Sequence, residues 1–75
     1  MIELLKFVAE SLVSHPEDVS IKETRGRDSI TLELRVHQDD MGKVIGKQGR
    51  IAKSIRQIIK AATPRSEPPV FLEIV

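Results

Sequence analysis

Apolar and polar residues follow one another along this chain in distinct rhythms, and each rhythm predicts an element. Between Ile2 and Ser14, the residues Ile2, Leu5, Val8, Ala9, Leu12 and Val13 recur at helical spacing. Leu4 and Phe7 widen that stripe beyond one core face. A helix thickly buried in a small protein accounts for the width; a partner-binding face is the competing account. Pro16 steers His15 out of the α region, so the helix ends near Ser14. Val19 and Ile21 then alternate with Ser20 and Lys22, the beginning of a strand. Gly26 to Ser29 is turn chemistry. Beyond it the period is strictly two, with Ile30, Leu32, Leu34 and Val36 on one side and Thr31, Glu33 and Arg35 on the other. Such alternation predicts one face on a core and one in water, and the two strands form a hairpin.

Asp39 and Asp40 stand just before Met41 and are candidates for a helix N-cap. Acid–base work by the pair would need a partner in a dry pocket, and the neighbouring sequence offers none. A short helix from about Met41 to Ile45 reaches Gly46. After Gly46-Lys47-Gln48-Gly49, the residues Ile51, Ile55, Ile58, Ile59 and Ala62 mark one face of another helix. Arg50, Lys53, Arg56, Gln57 and Lys60 take the rest of its surface. Thr63, held before Pro64, stops it. Residues 64–69 read as a stiff connector, and Val70 to Val75 as a strand with most of its surface covered. That strand reaches the hairpin only by crossing over two helices, which favours parallel pairing and a right-handed crossover. The expected order is α-β-β-α-α-β, an α+β fold of one domain spanning 1–75. Its three-stranded mixed sheet carries three helices on one face.

Composition narrows the function. A chain of 75 residues holds one modest core. With no cysteine, disulfides, thiolate metal sites and cysteine nucleophiles are excluded. The start, MIELLKFVAESL, carries acids inside its apolar pattern and does not read as a signal peptide. No apolar run approaches the roughly 18–20 residues that cross a bilayer, so a cytoplasmic location away from membranes is expected. His15 and His37 stand singly, without a second ligand at metal spacing, and read as solvent or turn residues with no metal. Neither has a serine and a carboxylate in a triad-like arrangement, and no residues support an enzyme.

Charge changes the picture more. From Met41 to Ser66 there are seven bases (Lys43, Lys47, Arg50, Lys53, Arg56, Lys60, Arg65) and no acid. Residues 1–40 hold five bases against nine acids, so the net charge of +1 hides a dipolar molecule. At the head of the basic stretch, a four-residue turn between helices leaves free N–H groups where the second helix starts, and these favour an anion. Gly46 and Gly49 can take positive φ and let a sugar–phosphate backbone come close. Lys47 and Arg50 add positive charge there, while Val44, Ile45 and Ile51 anchor both sides of the turn in the core. Two glycines at this spacing are common in ordinary turns. The preceding hairpin, the flanking isoleucines and the basic helix make the setting specific.

The run Gly42-Lys43-Val44-Ile45-Gly46-Lys47-Gln48-Gly49-Arg50-Ile51 resembles the VIGxxGxxI signature of K-homology (KH) domains, whose GxxG loop clamps about four nucleotides. The element order is that of the type II KH arrangement. Length, the HPEDV segment at 15–19 and the C-terminal strand extend the resemblance to the small bacterial single-KH proteins of the KhpA (YlqC) type. The resemblance implies sequence-tolerant binding of single-stranded RNA, RNA-chaperone-like, with self-association or pairing to a larger Jag-type KH protein. By position, Gly46, Lys47, Gln48 and Gly49 would clamp the backbone. Lys43, Val44, Ile45, Arg50, Ile51, Lys53 and Ser54 would supply the helix side of a groove, and strand 30–36 its other wall. Two phenylalanines and no Tyr or Trp are too few for the aromatic platforms of other RNA modules, which favours KH. A KH-shaped adaptor for protein partners, using the wide helix 2–14 or the last strand with RNA secondary, is the alternative.

Overall fold

The strictly alternating segment becomes the middle of the sheet. In the computed structural model, which describes all residues 1–75, the chain runs α1 (Ile2–Leu12), β1 (Ser20–Arg25), β2 (Ile30–Arg35), α2 (Met41–Ile45), α3 (Arg50–Ala62) and β3 (Val70–Ile74). Single 3-10 turns cover Pro16–Asp18, Gln38–Asp40 and Lys47–Gly49. The sheet order is β1-β2-β3, with β1 antiparallel and β3 parallel to β2. The α+β order and the mixed sheet are those expected.

Ile30, Leu32 and Leu34 point from β2 into the core, where they meet Leu5 and Ala9 of α1, Ile55 and Ile59 of α3, and Leu72 of β3. Burying a leucine or isoleucine completely stabilises the fold by about 1.5–3 kcal/mol, so these few contacts carry most of the packing. Thr31 and Glu33, on the other face of β2, are only partly covered, and Arg35 is exposed. Leu32 pairs with Leu72 across the parallel ladder, which sets the β3 register by one buried contact.

Three expectations need correcting. α1 ends at Leu12, with Val13 extended at φ −101°, ψ 160°, and buries only Leu5 and Ala9. Phe7 is 69% exposed, so the helix is not thickly buried. On α3 the buried stripe is Ala52, Ile55 and Ile59; Ile58 lies on its flank, 43% exposed, and Ala62 is exposed. β3 buries Leu72 but leaves Phe71 55% exposed. All three errors have one cause. A single layer of helices on a single sheet gives every element one wet face, however apolar its sequence.

β3 is also an edge. Ile30 N–H donates to Pro69 O at 2.9 Å and Val75 N–H to Leu34 O at 3.0 Å. Alternate residues of a strand direct their backbone groups to opposite sides. Val70, Leu72 and Ile74 therefore turn their amides and carbonyls away from β2. No helix is long and apolar enough to cross a membrane.

Candidate nucleic-acid interface

α2 stops because Gly46 cannot continue it: its φ is +76° and its ψ 174°. A Cβ placed there would stand 2.6 Å from Ile51 Cγ1, inside van der Waals contact, so only glycine lets the chain fold back against Ile51. Gly46 N–H closes α2 onto Gly42 O at 2.8 Å. Gln48 (φ 58°, ψ 26°) and Gly49 (φ 73°, ψ 14°) then take left-handed conformations in succession before α3 begins. For Gln48 that conformation costs about 1–2 kcal/mol, a strain of the kind found where backbone shape serves a ligand. Around Gly49 nothing lies within 4 Å of where a Cβ would be, so its front is open.

Backbone amides that donate to side chains are confined to Ser14, His15 and Asp39. None lies in the GKQG corner, and no side chain caps the start of α3. Gly46, Gly49 and Arg50 N–H donate to the carbonyls of Gly42, Gly46 and Lys47, so what favours an anion here is the positive end of the α3 dipole together with the cations around it. Lys47, Gln48, Arg50, Lys53 and Ser54 are exposed around it. Ile51 is half-buried against Gly46, and Ile45 is more exposed than an anchor would be. Two residues are placed otherwise than expected. Val44 is completely buried, which fits its expected role as a core anchor but not the place it was given on the groove wall. Lys43 turns away to hydrogen-bond Ser14 Oγ and to stand 3.4 Å from Asp40 Oδ1.

Asp40 itself departs from its expected role. It sits at the N-cap position of α2 but makes no side-chain bond to that helix. Its buried carboxylate accepts from Ser14 N–H at 3.0 Å and His15 N–H at 2.9 Å instead, tying the segment after α1 to the segment after β2. Burial alone would push its pKa up. The two amides and Lys43 more than offset that and hold it below the ordinary aspartate value. Asp39 is exposed and leaves the capping of its turn to His37, whose Nδ1 accepts from Asp39 N–H at 3.0 Å.

The groove differs from expectation on both sides: none of Lys43, Val44, Ile45, Arg50, Ile51, Lys53 and Ser54, expected on its helix side, lines it, and the strand wall is another. Residues 30–36 cannot form that wall, because the inner face of β2 is the core and β2 lies between two other strands. A groove of about 950 Å³ instead runs between α3 and the edge strand β3. Arg56, Gln57 and Lys60 line it on one side, Val70, Phe71 and Leu72 on the other, and Pro64, Arg65 and Pro69 of the connector close one end. Arg56 Nε reaches across to Leu72 O at 3.4 Å. Because β3 is parallel to β2, α3 must run back along it, which sets the GKQG corner at the opposite end from the connector. The ten residue-to-residue rises from Arg50 to Lys60 span about 15 Å between them.

Lys47, Arg50, Lys53, Arg56, Lys60 and Arg65 have no carboxylate within ion-pair distance; the ion-paired bases are Arg25, Lys43 and, when charged, His15 and His37. In the sequence Arg56, Gln57 and Lys60 stood out only as surface of the basic helix, because helical spacing shows a shared face but not which strand it meets. Nothing comparable marked β3, since its place depends on the crossover.

The comparisons with known proteins agree with this architecture. Residues 2–74 match the family model described as "KhpA/KhpB, KH domain". The chain is 55% identical over its whole length to the full-length "RNA-binding protein KhpA" of Clostridium perfringens, and 53% identical to that of Clostridium acetobutylicum, again over both full chains. The corresponding Borreliella burgdorferi protein is 43% identical over 99% of this chain and 90% of its own. A crystal structure of a point variant of Aquifex aeolicus Era, bound to GDP and AlF4⁻, superposes with a TM-score of 0.59 at 21% identity, a likeness of fold alone. It covers 97% of this chain and 30% of that one. With its type II element order and its GKQG corner, the chain belongs to the KhpA/KhpB family of KH domains.

Proposed function

We propose that this chain binds single-stranded RNA without catalysing a reaction, holding the sugar–phosphate backbone at the GKQG corner and the bases in the groove between α3 and β3. The observation that carries this reading is the row of unpaired cations from Lys47 to Arg65, which starts at a corner whose amides no side chain claims. Phosphates neutralised along that row release counterions. Gln57 and the outward backbone groups of Val70 and Ile74, with Leu72 N–H, offer hydrogen bonds to base edges, and the aliphatic flanks offer flat contact. The names of the relatives support RNA as the ligand. Backbone contacts dominate, so binding tolerates sequence, is RNA-chaperone-like and takes place in the cytoplasm. With one short groove, affinity per chain is modest. A second copy, or a larger Jag-type KH protein, raises it through avidity.

Lys47→Asp combined with Gln48→Asp tests the clamp, because both side chains are exposed. The double variant should keep the parent's thermal midpoint and lose at least 100-fold in affinity for a mixed RNA pool. Undiminished binding would remove the loop from the mechanism. If roughly three to five phosphates are neutralised, log K should fall against log salt with a slope of about −2 to −3.5. Parallel titrations with single-stranded DNA measure the contribution of the 2′-hydroxyl.

A protein-adaptor reading draws on the exposed apolar side chains Phe7, Ile58 and Phe71. Sedimentation with and without RNA separates the two: a tight dimer indifferent to the loop variant favours the adaptor.

A further inference from the structure

The junction around Asp40 also brings together two histidines that the sequence keeps far apart. His15 and His37 stack ring on ring, with centroids 4.1 Å apart and planes inclined by 26°. This overturns the expectation that each stands alone. The Asp39 carboxylate is 3.7 Å from His37 Nδ1, and the Glu17 carboxylate is 3.5 Å from His15 Nδ1. One ligand atom from each of His15, His37 and Asp39 lies within 4.8 Å of the other two. The backbone beneath is already set: His15 N–H is held by the buried Asp40 carboxylate at 2.9 Å, and His37 caps its own turn. Both rings remain about a third open to solvent, so an ion can reach them and the rings can turn.

We propose that His15, His37 and Asp39 form a binding site for a divalent transition metal of the Zn²⁺ type. Two imidazole nitrogens and one carboxylate oxygen are the donors that such ions prefer, whereas Mg²⁺ and Ca²⁺ seek oxygen alone. Three protein ligands leave a fourth position, which water or Glu17 fills. Bonds of about 2.0–2.1 Å place tetrahedral ligand atoms about 3.3 Å apart, so the rings swing out of their stack and draw in from the present spacing. His37 Nδ1 now accepts from Asp39 N–H, which puts that ring's proton on Nε2. The metal takes over the Nδ1 lone pair, and the exposed Asp39 amide turns to water. The bound ion then clips the segment after α1 to the segment after β2, at the root of α2.

Titration of the metal-free chain with Zn²⁺ at pH 7.5, followed by the ring ¹⁵N shifts and by thermal unfolding, tests this. The expected result is one equivalent bound with a micromolar Kd, movement of a nitrogen on both rings, and a thermal midpoint that rises with Zn²⁺ but not with Mg²⁺. His15→Gln should weaken binding at least tenfold. Asp39→Asn, which keeps the amide bond to His37, should weaken it several-fold. No saturation below about 1 mM Zn²⁺, or affinity unchanged in both variants, would overturn the proposal, whatever the chain does with RNA.

Discussion

At the N-terminal end of α2, backbone amides donate inward to a buried carboxylate; at its C-terminal end, past five helical residues, no side chain accepts from the amides of the corner. The first end uses charge to build: Asp40, Lys43 and the amides of Ser14 and His15 satisfy one another, and nothing is left over. The second leaves charge unspent. Gly46, Gln48 and Gly49 hold positive φ there, and the cations that follow have no acids beside them. A residue pairing that looks alike in sequence, acid or base at a helix end, thus serves folding at one corner and is available for binding at the other. Local sequence does not distinguish the two. Burial does.

Four substitutions sharpen or break this contrast. The largest effect should come from Gly46→Ala, which adds a methyl group against Ile51 and a side chain at φ +76°. A loss of about 3 kcal/mol is expected from clash and strain together, seen as a fall of more than 10 °C in the thermal midpoint. Next, Asp40→Asn should lower the midpoint by about 10 °C while leaving the folded variant's RNA affinity within about threefold of the parent. Asp40 also sets an acid limb. Its folded pKa lies below its unfolded value, about 3.9, so its contribution is complete above that pH and is lost as pH falls through the lower, folded value. In the asparagine variant the limb should flatten. If instead Asp40→Asn abolished RNA binding and spared stability, the division between the two corners would be wrong.

Smaller effects are expected at the open corner. Gly49→Ala meets no neighbour within 4 Å, so it should cost only about 1 kcal/mol for its left-handed backbone. Its methyl group would fill the space proposed for the RNA backbone, and affinity should drop about tenfold while stability changes little. Gln48→Gly should stabilise the chain by up to about 1 kcal/mol, because glycine takes φ 58° without strain. Chemical denaturation of the two variants side by side checks both signs.

Much of the fold was legible because it rests on local rules. Alternation at 30–36, proline after Thr63 and the glycines at 46 and 49 each restrict nearby backbone, so the strands, the end of α3 and the corner fell where sequence placed them. The GKQG corner and the exposed cations were legible for the same reason: spacing on a helix shows which side chains share a face. Burial was not. Phe7, Ile58 and Phe71 are as apolar as Leu5 and Leu72, and only the number of layers decided which of them water would reach.

Local patterning was enough for the elements, their order and the acid-free face, since each depends on residues a few positions apart. Tertiary structure alone decided that β3, not β2, lines the groove, that Asp40 serves α1's end and not its own helix, and that His15 meets His37. Those outcomes depend on a crossover and a packed junction, which bring distant residues together through contacts that no local period encodes.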